Sequence, residues 1–135
     1  MPLLPLERVV LIDDDKFDNK YHARMIRRTG LVRDIQAFQM ASDALSWFRE
    51  TGVGAADIVF LDINMPGMDG FELLERAQAE FGPRFSDMVV MMLTTSLDPR
   101  DKRRAADFPV IRHFIPKSLT QETFVGLVAE LQVAA

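Results

Sequence analysis

The residues of this chain that could do chemistry together are acids that close apolar runs. Asp13 and Asp14 follow VVLI, and Asp62 follows IVFL. If both runs are buried parallel strands, their carboxyl ends bring three carboxylates to one edge of a sheet. Carboxylates held that close repel and raise one another's pKa unless a cation or hydrogen bonds offset them. A divalent metal is therefore the natural further member of the cluster. Thr94 and Thr95 close a fourth run and Lys117 a fifth, adding hydroxyls and an amine to the same rim.

Singly, each acid has a plainer reading. Asp13, Asp14 and Asp15 could cap a helix, and Asp62 could open a turn before Pro66 and Gly67. Jointly that reading weakens, because aspartate is rarely buried and packing asks for no such set at the ends of hydrophobic strands.

The elements that must position these groups are legible as alternation. Apolar runs recur at Val9 to Ile12, Ile35 to Phe38, Ile58 to Leu61, Met88 to Leu93 and Val110 to Ile115. Between them lie helical spacings: Phe17, Tyr21, Met25 and Ile26 before Gly30; Ser42 through Phe48 to Gly52; and Phe71, Leu73, Leu74 and Ala77 after Gly70. Asp98 with Pro99 opens a fourth helix, and Thr120 a fifth carrying Phe124, Leu127, Val128 and Leu131. Five strands alternating with five helices predict parallel pairing with right-handed crossovers. In such a sheet ligands bind outside the carboxyl ends of the strands, where the strand order reverses.

Composition narrows the function classes. At 135 residues the chain fits one domain, read over 1–135 with residues 1–7 as a short N-terminal extension. A net charge of −4 gives no general attraction to nucleic acid or anionic lipid. With no cysteine there is neither a disulfide frame nor a thiolate metal site. The opening MPLLPLER suits neither a signal peptide nor a membrane span, so the expected location is cytoplasmic. The basic stretch Arg100 to Arg104 falls on a helix and reads as a solvated or docking face rather than a DNA-binding one. His22 and His113 lack ligand-like spacing and read as packing or surface residues.

The pieces VVLIDDD at 9–15, IVFLDINMPGMDG at 58–70, VMMLTTS at 90–96 and HFIPKS at 113–118 resemble the receiver domain of two-component response regulators, the CheY-like family, from Arg8 to Val133. The resemblance implies a doubly wound, flavodoxin-like fold with the parallel order 2-1-3-4-5. It makes Asp62 the phosphoacceptor for a histidine kinase or a histidine phosphotransfer protein. It places Mg²⁺ on the carboxylates of Asp14 and Asp62 and the backbone carbonyl of Asn64, with Asp13 holding a metal-bound water. Lys117 and Thr94 would contact the phosphoryl group, Thr94 and Phe114 would switch, and Asn64 and Ser96 would tune phosphoryl lifetime. Such a protein is a signalling domain, not an enzyme on another substrate. Its phosphoprotein form would act through a changed surface on a downstream protein target, with no direct DNA binding and no membrane, and with a weak homodimer allowed through the output face.

One departure is plain: Lys117 is preceded by Pro116 and followed by Ser118, where the family carries a proline after the lysine. A trans Lys117–Ser118 peptide is expected, since cis costs a non-proline bond about 2.5–4 kcal/mol. Pro116 also predicts an edge position for the fifth strand. The competing readings are a degenerate receiver that binds partners without phosphorylation, a phosphatase of the haloacid dehalogenase type and a flavodoxin-like cofactor binder. The phosphatase motif wants an aspartate where Asn64 stands, and the cofactor binder wants a phosphate-cradling loop where DDDKFDN is acidic.

Overall fold

A computed structural model describes residues 2–134. Five strands, β1 (Leu6–Ile12), β2 (Val32–Phe38), β3 (Ile58–Leu61), β4 (Val90–Thr94) and β5 (Ile111–Pro116), alternate with five helices. The helices are α1 (Lys16–Arg28), α2 (Ala41–Thr51), α3 (Gly70–Phe81), α4 (Pro99–Ala105) and α5 (Gln121–Ala134). All strand pairs are parallel, in the order β2-β1-β3-β4-β5, the doubly wound, flavodoxin-like arrangement expected from the sequence. Strand β1 begins at Leu6, within the stretch read as an extension, because Leu6 pairs with Val32.

Side-chain alternation divides the core between the two faces of the sheet. Val10, Ile12, Val59, Leu61 and Met92 face α2 and α3 and pack with Phe48, Phe71 and Leu74. Val9, Leu11, Ile58, Phe60, Met91 and Leu93 face α1 and α5 and pack with Ile26, Phe124 and Val128. Both faces being covered explains why these strands read as continuous apolar runs. Each fully buried Phe or Leu contributes about 1.5–3 kcal/mol of transfer free energy.

Aspartates start three of the helices. Asp15 accepts from the N–H groups of Phe17 and Asp18, Asp69 from that of Glu72, and Asp98 from that of Arg100. At α5 the Thr120 hydroxyl accepts from the N–H of Thr123. The basic stretch lies on α4, where Asp98 pairs with Arg100 and Glu75 of α3 with Arg104, whose guanidinium sits 4.7 Å over the Phe71 ring.

Strand β5 is an edge, as Pro116 predicts; it pairs with β4 alone, Pro116 opposite Thr94. The Lys117–Ser118 peptide is cis, which corrects the trans expectation drawn from the missing proline. Contacts on both sides fix this turn: the Lys117 N–H donates to the Thr94 carbonyl at 3.0 Å, and the Leu119 N–H donates to His22 Nε2 at 3.2 Å.

Candidate functional site

Backbone ladders run past the strand ends and aim the functional residues. The Asp13 N–H donates to Phe38 O, that of Asp62 to Ile12 O and that of Lys117 to Thr94 O, each at 3.0 Å. Adjacent strands thus carry Asp13, Asp62, Thr94 and Lys117 to one rim. Asp13 and Asp62 are buried, with 5% and 7% of their surface exposed, whereas Asp14 faces solvent. One carboxylate oxygen from each of Asp13, Asp14 and Asp62 lies within 4.8 Å of the other two.

Lys117 joins this cluster with its side chain only 10% exposed. Its Nζ lies 2.6 Å from Asp13 Oδ2, 2.8 Å from Asp18 Oδ2 and 3.2 Å from Asp62 Oδ2. Burial alone would pull the lysine pKa down, but hydrogen bonds to Asp13 and Asp18 and the charge of Asp62 push it above the ordinary range. Burial pushes the Asp13 carboxyl up; the hydrogen bond from Lys117 works against the rise, and the charge of Asp62 adds to it. One ammonium thus faces more carboxylate than it neutralises, and an all-oxygen donor set of this kind fits a hard divalent cation.

The other oxygens of the acids organise the surrounding loops. Asp13 Oδ1 accepts from the Asp15 N–H and Asp62 Oδ1 from the Ile63 N–H, at 2.9 and 2.8 Å. Gly70 starts α3 directly against Asp62, where a Cβ would collide with the Asp62 carbonyl oxygen, and its own N–H donates to Ile63 O. The Asp-Gly of the sequence motif therefore has two separate jobs: Asp69 caps α3, and Gly70 lets the helix approach.

Thr94 is buried, and its hydroxyl oxygen accepts from the Ser96 N–H at 3.1 Å. The Ser96 hydroxyl donates to Asp101 of α4 and accepts from the Asp98 N–H. Asn64 is exposed two residues past Asp62. Phe114 is half-buried against the core and borders a groove of about 350 Å³ with Ser96, Leu97, Lys102 and Pro116. The structure therefore gathers Asp13, Asp14, Asp62 and Lys117 directly, sets Thr94 at the adjoining strand end, and leaves Asn64, Ser96 and Phe114 around that centre.

Sequence reasoning overlooked two residues of α1 and the hydrogen bond made by a third. Asp18 reaches Lys117. Asn19 Nδ2 donates to the carbonyls of Asp13 and Phe38, and buried His22 receives the Leu119 N–H. A signal existed for two of them: Asn19 and His22 fall on the apolar stripe with Ala23, Met25 and Ile26, where an unexplained polar group needs a partner. Of the two histidines, His22 is a packing residue, as read; His113 pairs with Glu130 at the surface.

Residues 9–129 match the response regulator receiver domain. The chain belongs to that family. A solved two-component response regulator from Cytophaga hutchinsonii is 32% identical with a TM-score of 0.84, the match covering 96% of this chain and 98% of that one. The probable methanogenesis regulatory protein FilR2 of Methanothrix harundinacea is 31% identical over 122 residues, spanning 85% of this chain and 77% of that protein. The two-component response regulator ARR11 of Arabidopsis thaliana is 36% identical over 87 residues, which are 64% of this chain. The match spans only 15% of ARR11's length, so the receiver is a small part of that relative. Among the described residues no helix is long and apolar enough to cross a membrane.

Proposed function

We propose that this receiver domain accepts a phosphoryl group on Asp62 from a phosphohistidine of a histidine kinase or a histidine phosphotransfer protein. A carboxylate oxygen of Asp62 would attack phosphorus and form a mixed anhydride while the phosphorus–nitrogen bond breaks. The bonding pair leaves with the imidazole. The observation that carries the reading is the meeting of three carboxylates and the Lys117 ammonium at one sheet edge. Phosphoryl transfer asks a protein chiefly for position and for charges that offset those developing in the transition state. Asp62, held by the Ile63 N–H and by Lys117, is oriented for that task.

Asp13, Asp14 and Asp62, with the Asn64 carbonyl as the resemblance implies, would hold Mg²⁺. When bound, the ion supplies positive charge for the phosphoryl oxygens. Lys117 offsets further charge and keeps Asp62 in place. After transfer, the Thr94 hydroxyl turns from the Ser96 N–H to the phosphoryl group, and Phe114 follows inward. That movement reshapes the groove between α4 and β5 and presents a changed surface to a downstream protein. The reach of Lys117 to Asp62 supports this reading over a receiver that has lost its chemistry.

A purified phosphohistidine donor carrying labelled phosphate tests the proposal. Label should pass to this chain, be released by hydroxylamine as acyl phosphates are, and fail to pass to Asp62→Asn. Label on a serine, threonine or histidine would contradict it.

A further inference from the structure

Lys117 has three N–H donors and already faces three carboxylates within 3.2 Å, donating hydrogen bonds to Asp18 and Asp62 and pairing with Asp13, so an arriving phosphoryl group must compete for the ammonium. Two of those acids, Asp13 and Asp62, are buried members of the cluster at the strand ends. The third, Asp18, stands outside that cluster, on the first turn of α1. Its side chain is 38% exposed, and at 2.8 Å it lies nearer the ammonium than Asp62 does at 3.2 Å.

We propose that Asp18 is a positioning residue that draws Lys117 partly away from Asp62 and so weakens the hold of the site on a phosphoryl group. The inference rests on Asp62 being the phosphoacceptor and adds a restraint on that same site. An incoming phosphoryl group brings anionic oxygens that must share the ammonium with Asp18. Asp18 also adds a negative charge within reach of that ammonium, which raises the electrostatic cost of bringing a further anion there. Both effects act in one direction, against the occupied state.

The substitution Asp18→Asn keeps the size and one oxygen acceptor while removing the charge. Beryllofluoride, a phosphoryl mimic that bonds to an aspartate oxygen, can be titrated in the presence of Mg²⁺ and followed by fluorine NMR. The half-saturating concentration should fall at least threefold in Asp18→Asn and stay near the unsubstituted value in Asp18→Glu. A role confined to stabilising the start of α1 would instead lower the thermal midpoint and leave the half-saturating concentration alone. Asp18→Ser serves as a second charge-removing variant should the asparagine protein fold poorly, and the same fall is expected.

An unchanged or raised half-saturating concentration in the charge-removing variants overturns the inference while leaving Asp62 as acceptor. Failure of the unsubstituted protein to take up either beryllofluoride or phosphate overturns both together.

Discussion

At the residue scale, His22 shows how a side chain with no ligand role can tie stability to pH. Its Nε2 accepts the Leu119 N–H, which requires the neutral ring, and burial lowers its pKa from the ordinary value of 6.5. The unfolded chain therefore takes up a proton first as pH falls below about 6.5, and the stability His22 contributes is lost progressively toward its lower folded pKa. His22→Gln retains an oxygen acceptor but does not titrate. Urea midpoints measured without divalent metal should drop less between pH 7.5 and 5.5 in that variant than in the unsubstituted protein. Equal drops would mean that His22 is not the group responsible. Asp14 makes a second prediction. If the acid cluster binds Mg²⁺, the metal should stabilise the fold by about 2.7 kcal/mol at 100 times its dissociation constant. Thermal midpoints of Asp14→Ala should lose that response, and a retained response would remove Asp14 from the metal site.

At the element scale, the junction between β3 and α3 is the closest approach made at any of the chain's glycines. Gly70 abuts the Asp62 carbonyl, so Gly70→Ala must push the helix start or the loop after Asp62 aside. A cost of about 1–3 kcal/mol is expected, read from denaturant midpoints, together with slower phosphorylation, because forced overpacking shifts backbone. An alanine variant with unaltered stability and rate would show that this approach is not needed. Strand and helix order was legible because buried parallel strands leave short apolar runs, and four of the five helix starts leave an aspartate or a threonine, α2 after Met40 being the exception. Less was legible where a contact depended on tertiary approach. The polar strand β2 extends back to Val32 through Arg33 and Asp34, held by Arg8 reaching Asp34 at 2.7 Å, a pairing that no apolar run announces. Asp18 likewise reads as an ordinary first-turn acid of α1 until the fold sets Lys117 beside it. The cis Lys117–Ser118 peptide had no proline to mark it.

At the scale of the whole molecule, Thr94 stands between the charged rim and the neighbouring groove of α4 and β5. The Thr94 hydroxyl is bonded to the Ser96 N–H, Ser96 is bonded to Asp101 of α4, and Phe114 borders the groove beside them. Thr94→Ala should therefore still accept phosphate while losing much of the response at α4 and β5. Amide chemical-shift changes on beryllofluoride addition would then be confined to the rim; a full response at Phe114 would show that the signal travels by another route. Most of the rim was legible from sequence because Asp13, Asp14, Asp62 and the lysine close strands, and parallel strands must end on the same side.

Whether Asp62 accepts a phosphoryl group can be read by intact-mass measurement. The protein is incubated with a small-molecule phosphodonor and Mg²⁺, beside Asp62→Asn treated identically. A single added phosphoryl group of about 80 Da is expected on the unsubstituted chain, removable by hydroxylamine and absent from the variant. Equal labelling of Asp62→Asn, or no labelling of the unsubstituted chain by any of several donors, would contradict it.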